Sequence, residues 1–302
     1  MKILYFTDPH FSESTPISRI DNFYETQFDK LAQIWEIAAE ENCDEIICGG
    51  DLFDRYNPLK NSFRFLNYCI QNFKCKFRTV IGNHDVHGRN QNILDCALGT
   101  LHITHIVDVI KDDIVYRKEK MILRAVSYVD EYDPKPYIFD RDFDDYFKII
   151  VTHNTIFPTE GELPYDVMPP DAVKTNADLV LCGHIHKPWK YQTKHAYFVN
   201  PGSLVRRDID ENHKPTVLII HTHNGAVSTK ARILKYTENV FGERKTKKEI
   251  NKNFDSFVSS LKKFEALKLE EFVRQSAQEM EVRKSIVDYA LEKLDWAKEN
   301  VK

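Results

Sequence analysis

The chain has 302 residues, 42% hydrophobic and 29% charged, which describes an ordinary globular protein with room for one large domain and an appendage. Its formal net charge of −4 excludes a globally basic nucleic-acid binder, so any such role falls to local patches. Six scattered cysteines without a C-x-x-C pair argue against a disulfide framework, and no apolar run nears the roughly 18 residues of a membrane span. With no cleavable signal pattern at the start, these features lead us to expect a cytoplasmic protein with reduced thiols and no membrane partner.

Ile3 to Thr7 reads as a fully buried first strand ending at Asp8-Pro9-His10. Phe28, Leu31, Trp35 and Ala38 then fall at helical spacing, predicting a helix over about 21–41. Glu45 to Cys48 is a second strand, ending at Gly49-Gly50-Asp51-Leu52-Phe53-Asp54. Pro58 is expected to open another helix, with Phe63, Leu66, Ile70 and Phe73 on its buried face. Lys76 to Ile81 forms a third strand that runs into Gly82-Asn83-His84-Asp85. Strand alternating with helix predicts βαβ units and parallel pairing.

The middle is less regular. His105–Val107 and Met121–Leu123 read as short strands, and the acidic, aromatic stretch 128–146 as a surface excursion away from any phosphate chemistry. Phe147 to Thr152 is a strand ending at His153-Asn154. Ala177 to Cys182 is another, ending at Gly183-His184-Ile185-His186. Ala196 to Val199 leads into Asn200-Pro201-Gly202-Ser203, and a hairpin is expected around Asn224-Gly225. Residues 1–236 form one expected domain. Residues 237–302 form a second, a small helical module with a basic stretch at 244–248 and apolar stripes at Phe254 to Phe264 and Ile286 to Leu294.

Five strands therefore end in side chains of metal-ligand type: Asp8 and His10, Asp51, Asn83, His153, and His184 with His186. The carboxyl ends of parallel strands share one rim, so residues distant in sequence can meet there. Carboxylates, imidazoles and an amide oxygen suit manganese, iron or zinc, whereas magnesium favours oxygen ligands alone. The set exceeds what one site with an open position holds and fits two cations bridged by a carboxylate, an arrangement that clamps a phosphoryl group. His221 and His223 would share a strand face, as ligands might, but read as solvent-facing polar residues, and His87, His102, His105, His195 and His213 show no ligand pattern and are expected at the surface. Arg206 and Arg207 are candidates for touching a phosphate backbone.

The order D-x-H, G-D-x-x-D, G-N-H-D, a lone His and G-H-x-H resembles the calcineurin-like metallophosphoesterases. The resemblance covers roughly residues 1–235 and implies an α/β fold, a four-layered αββα sandwich, here followed by the small C-terminal helical module. It implies one divalent metal on Asp8, His10, Asp51 and His186, and a second on Asn83, His153 and His184 with Asp51 bridging. Manganese is the first choice, with iron, zinc or magnesium as alternatives. His84 matches the catalytic histidine and Asp85 the carboxylate that orients it. Within the family the motifs look most like the SbcD branch of DNA-repair nucleases, of bacterial or phage type. That branch implies DNA and an SbcC-type ABC ATPase as partners, with a homodimer as a further possibility. A small-molecule phosphodiesterase or phosphatase of the same fold is the alternative. A non-catalytic scaffold is the third reading, and an intact His84 and ligand set speak against it.

Overall fold

The structure, a computed structural model, describes residues 1–57, 60–88, 92–129, 131–159, 161, 163, 166–223 and 226–242. Pro58, the Asn224-Gly225 turn and the helical module beyond residue 242 lie outside the described residues. Met1–Gly242 forms one compact unit.

The strands in chain order are β1 (Lys2–Phe6), β2 (Glu45–Cys48), β3 (Phe77–Thr79), β4 (Val107–Val109), β5 (Ile114–Tyr116) and β6 (Met121–Val126). They continue with β7 (Phe147–Thr152), β8 (Leu179–Cys182), β9 (Trp189–Gln192), β10 (Tyr197–Asn200), β11 (Thr216–His223) and β12 (Ala226–Ile233). Among the described residues three α-helices, α1 (Phe23–Glu40), α2 (Phe63–Asn72) and α3 (Ala97–Ile103), lie between them. Two six-stranded sheets result, ordered β12-β11-β1-β2-β3-β4 and β5-β6-β7-β8-β10-β9. β1 to β4 are mutually parallel in the first sheet, and β6, β7, β8 and β10 in the second.

Successive strand residues face opposite ways, and β1 shows what that does here. Ile3 and Tyr5 point between the sheets, where they meet Ile149 and Val151 of β7 and Leu179 and Leu181 of β8. Leu4 and Phe6 point outward under α1 and α2, against Leu31, Ile34, Phe65 and Leu66. A strand covered on both faces reads as an unbroken apolar run, which is why β1, β7 and β8 were legible. α1 starts where the Asn22 side chain accepts from the Glu25 N–H (3.3 Å). α2 starts where Ser62 Oγ accepts from the Phe65 N–H (3.1 Å).

Two expectations change. The buried face of α2 is Phe65, Leu66 and Cys69, whereas Phe63 is 87% exposed. With Ser62 as the cap, Phe63 is the first helical residue and projects into solvent. The stretch 128–146 is not a mere surface excursion. Its Tyr137 and Phe139 are buried and cover the outer face of the second sheet. Among the described residues that fourth layer consists of short 3₁₀ turns at Lys135–Tyr137, Arg141–Phe143 and Pro170–Ala172, together with loops, in place of long helices. All six cysteines are free, and four of them are buried, as reduced thiols in a core would be. No helix among the described residues is long and apolar enough to cross a membrane.

Candidate metal centre

The carboxyl ends of β1, β2 and β3 meet those of β7 and β8 along one edge of the sandwich. The rim is therefore shared by two sheets, where the sequence suggested one. Backbone bonds seat the loops within each sheet: His10 N–H donates to Asp51 O (3.0 Å) and Gly183 N–H to Thr152 O (2.8 Å). Side chains tie the sheets to each other. His153 Nδ1–H donates to Gly49 O (2.6 Å), and His184 N–H donates to both carboxylate oxygens of Asp8 (3.1 Å).

Asp8, His10, Asp51 and His184 all adopt positive φ, between 45° and 71°. That conformation is uncommon for residues with a Cβ, and its clustering at one edge marks a site whose geometry is held against local preference. Two glycines make the close approaches possible. Gly50 also has positive φ, and a Cβ there would run into the His153 ring. A Cβ on Gly82 would run into the Asp51 carboxylate and backbone.

The expected ligand atoms converge. His10 Nε2 lies 2.9 Å from His186 Nε2, 3.5 Å from Asp51 Oδ2 and 3.8 Å from Asp8 Oδ1. His153 Nε2 is 3.1 Å from Asp51 Oδ2 and 3.7 Å from Asp8 Oδ1. His184 Nδ1 stands 3.0 Å from Asn83 Oδ1. Ligands held about 2.1 Å from one cation at tetrahedral or octahedral angles stand about 3.0–3.4 Å apart, so the spacing suits shared cations. Asp8, His10 and His186 form one ligand group, Asp51, His153 and His184 another, and His84 comes within reach of a third with His10 and Asp51.

A more specific test is His153. Its Nδ1–H is committed to Gly49, so Nε2 is the nitrogen left to face Asp51 and Asp8; that atom is fully buried and has no well-directed hydrogen bond. Without a proton, that nitrogen would set a buried lone pair against two carboxylates, so the site calls for positive charge there, either a proton or a cation. The donor set therefore fits divalent cations.

The charges agree. Burial opposes ionisation of Asp51, but the His153 and His10 rings outweigh it and hold that carboxyl well below the usual range. Burial likewise opposes charge on His153, while Asp51 and Asp8 push it up to about 10, so a proton takes the place on Nε2 that a cation would displace. Burial, with His153 beside it, pushes His184 down to about 3, keeping the ring neutral with one nitrogen available as a ligand. These directions belong to the side chains alone, and they describe a site that draws positive charge.

His84 is close by but differently held. Its N–H donates to Asp51 Oδ1 (2.8 Å), and its Nδ1–H donates to the Asp54 carbonyl (2.7 Å). The ring lines a pocket of about 460 Å³ together with Asp51, Tyr128, Thr155, Asp166, His184 and His186. Asp85, expected to orient His84, has a different place. It is fully buried and accepts from the backbone N–H of Leu52 (2.9 Å), Phe53 (3.3 Å) and Gly82 (2.9 Å). It pins the second motif loop to the third, and the Asp54 carbonyl orients the His84 ring instead. Burial, with Asp51 nearby, pushes Asp85 up to about 7.

Several functional neighbours carry no sequence signal. Tyr128, placed away from the chemistry by its acidic surroundings, has its ring centroid 5.3 Å from that of His184. Glu211 Oε1 accepts from His186 Nδ1–H (2.7 Å). Only the general need of a metal-binding imidazole for a partner on its other nitrogen says that such a residue must exist. His213, expected at the surface, donates from Nε2 to Ser203 O (2.9 Å). Arg206 is turned inward, donating to the Thr237 carbonyl and lying over Tyr236 and Phe241, so it cannot reach a phosphate backbone. Arg207 is at the site but is paired with Asp54.

A family model described as calcineurin-like phosphoesterase matches residues 1–188. The chain is similar to the uncharacterized metallophosphoesterase YhaO of Bacillus subtilis (strain 168), 26% identical over 218 residues, covering 68% of this chain and 52% of that protein. It is similar to the double-strand break repair protein MRE11 of Encephalitozoon cuniculi (strain GB-M1), 24% identical over 259 residues, covering 71% of this chain and 44% of that protein. The chain thus spans about half the length of the curated relatives it matches. Among solved structures, a dimetal phosphatase from Danio rerio aligns at 10% identity with a TM-score of 0.52, covering 77% of this chain and 96% of the other, which supports the fold.

Proposed function

The chain belongs to the calcineurin-like phosphoesterases, and from that membership we propose that it is a two-metal phosphodiesterase acting on DNA. The observation that carries the phosphodiesterase reading is the convergence of ligand atoms beside His84, with the buried His153 Nε2 aimed at the Asp51 and Asp8 carboxylates. Asp8, His10, Asp51 and His186 would hold one divalent cation. Asp51, Asn83, His153 and His184 would hold the other. Manganese is the first candidate for a set that mixes imidazole, carboxylate and amide oxygen. When bound, such a pair supplies the charge that binds a phosphodiester and makes hydroxide available near neutral pH.

The residues of the chain do the rest. Glu211 and Gly49 commit the far nitrogens of His186 and His153, so each ring presents Nε2 to the centre. His84 keeps Nδ1–H on the Asp54 carbonyl, leaving Nε2 as the atom that hands a proton to the departing oxygen.

DNA as substrate is supported by the MRE11 relative. It is supported also by a second cleft of about 450 Å³ on the other flank of His84, lined by Arg55, Tyr56, Asn57 and Lys60 among others. A chain of phosphates passing the centre would meet those cations. The motifs Gly50 to Asp54, Gly82 to Asp85 and Asn200 to Ser203 favour an SbcD-like subunit working with an SbcC-type ATPase. Incubating the protein with manganese and end-labelled single- and double-stranded DNA, with and without such an ATPase, tests this reading. Cleavage that needs manganese and rises with the ATPase supports it. Hydrolysis of a small phosphodiester, with no DNA cleavage in either condition, would replace it with a small-molecule phosphodiesterase.

A further inference from the structure

Around the pocket runs a chain of bonds that none of the metal-ligand motifs contains. It starts at His186, whose Nδ1–H donates to Glu211 Oε1 (2.7 Å). The other oxygen of Glu211 accepts from Ser203 Oγ (3.0 Å) and from the backbone N–H of Arg207 (2.9 Å). The Arg207 guanidinium then crosses to the Asp54 carboxylate, with its Nη1 also 3.5 Å from the His10 carbonyl. The Asp54 carbonyl, finally, accepts from His84 Nδ1–H (2.7 Å). The Asp54 backbone is itself fixed by donating to Phe11 O (3.0 Å). Arg207, Asp54 and Glu211 are 18%, 16% and 14% exposed, so the belt is mostly shielded from water.

We propose that Glu211 and Arg207, four residues apart on one loop, are the positioning residues of this centre. Glu211 fixes His186 as a ligand through Nε2, and Arg207 fixes Asp54 and with it the ring of His84. The second half rests on the reading of His84 as the proton donor.

The physical case is one of geometry. An imidazole binds a cation through one nitrogen only when the other holds the proton, and a carboxylate acceptor both selects that tautomer and stops the ring turning. Glu211 is the carboxylate for His186. For His84 the acceptor is a backbone carbonyl, which cannot choose its own position; it goes where the 51–54 loop puts it. Asp54 ends that motif, and its side chain is tied to the 203–213 loop by Arg207. The 203–213 loop thereby holds two imidazoles that face the same space from opposite motifs. Nothing in the spacing of the sequence announces this, because Glu211 lies 25 residues after His186 and Arg207 lies 153 after Asp54.

The test has two arms. Manganese binding is followed by electron paramagnetic resonance in the wild type, Glu211→Ala and Glu211→Gln. Glu211→Ala should weaken one of two manganese sites by about 10–100-fold and spare the other. Glu211→Gln, which keeps an acceptor for Nδ1–H, should fall between. Unchanged affinity at both sites in Glu211→Ala overturns the first half.

Arg207→Met should bind manganese as the wild type does. Its kcat should fall by about tenfold or more on a dinucleotide, whose alkoxide leaving group needs a proton, and far less on bis(nitrophenyl) phosphate, whose leaving group does not. Equal losses on the two substrates overturn the second half. His84→Ala is measured alongside. If it too fails to distinguish the leaving groups, the role given to His84 is wrong and the manganese arm alone decides the inference. Circular dichroism checks folding, and Glu211→Gln and Arg207→Lys carry the same comparisons if the larger changes unfold the chain.

Discussion

His84 and Asp85 are adjacent in sequence and serve different ends. The His84 ring lines the pocket and gives one nitrogen to the Asp54 carbonyl, and its proposed role is that of an acid beside the ligands, although it lies within reach of His10 and Asp51. His84→Ala should leave the bound metal nearly intact while kcat falls by about 10²–10⁴. Loss of metal instead would make His84 a ligand. Asp85 is wrapped in three backbone N–H groups from two motif loops. Asp85→Asn would point an amide NH₂ at one of those donors, leaving buried groups unpaired at a cost of about 1–3 kcal/mol. Denaturant unfolding should register that loss in the metal-free protein. A variant as stable as the wild type, with only kcat reduced, would return Asp85 to the role of orienting His84.

Helix α2 gives a clean test at the scale of elements. Phe65 is fully buried against Phe28, Phe53 and Tyr24, whereas Phe63 is 87% exposed two residues earlier. Phe65→Ala should cost about 3–5 kcal/mol, and Phe63→Ala should stay within about 0.5 kcal/mol. The reverse order would mean that the helix faces the other way. The same helix shows where sequence reasoning reaches its limit. Its existence was legible from apolar periodicity, but its phase depends on the cap, and Ser62 sets that phase through one hydrogen bond.

The strands carrying ligands were legible for a different reason. β1, β2, β7 and β8 are buried on both faces and then change at once to polar residues, which is an abrupt signal in one dimension. β9 is half-exposed, with Trp189 and Tyr191 alternating with Lys190 and Gln192, and was not picked out. The centre itself divides likewise. Asp8, His10, Asp51, Asn83, His153, His184 and His186 follow strands, so topology brings them together. Tyr128, Asp166 and Glu211 come from loops whose placement depends on packing across the whole fold. The positive φ of Asp8, His10 and Asp51 was invisible too, since no glycine marks those positions.

For the whole molecule, the question is what residues 1–242 do without the remainder. The strap before Gly242 is part of the first unit: Ile20 N–H donates to Val240 O (3.0 Å), Gly242 N–H to Ser18 O (2.9 Å), and Arg19 lies over Phe241. We propose that the segment after Gly242 is the partner-docking module. A chain ending at Gly242 should then fold, bind manganese and hydrolyse a small phosphodiester, yet fail to co-purify with an SbcC-type ATPase. An insoluble product, or one that still binds the ATPase, would contradict that division.

Asp51 is the ligand the two proposed cations share: its carboxylate faces His10 at 3.5 Å and His153 at 3.1 Å, and its Oδ1 also accepts from the His84 N–H. Elemental analysis of bound manganese, paired with hydrolysis of bis(nitrophenyl) phosphate, should give two metals per chain in the wild type. In Asp51→Asn it should give reduced occupancy and no turnover, because the shared ligand has lost its charge. An Asp51→Asn protein with both metals bound and activity retained would contradict the two-metal centre proposed for this chain.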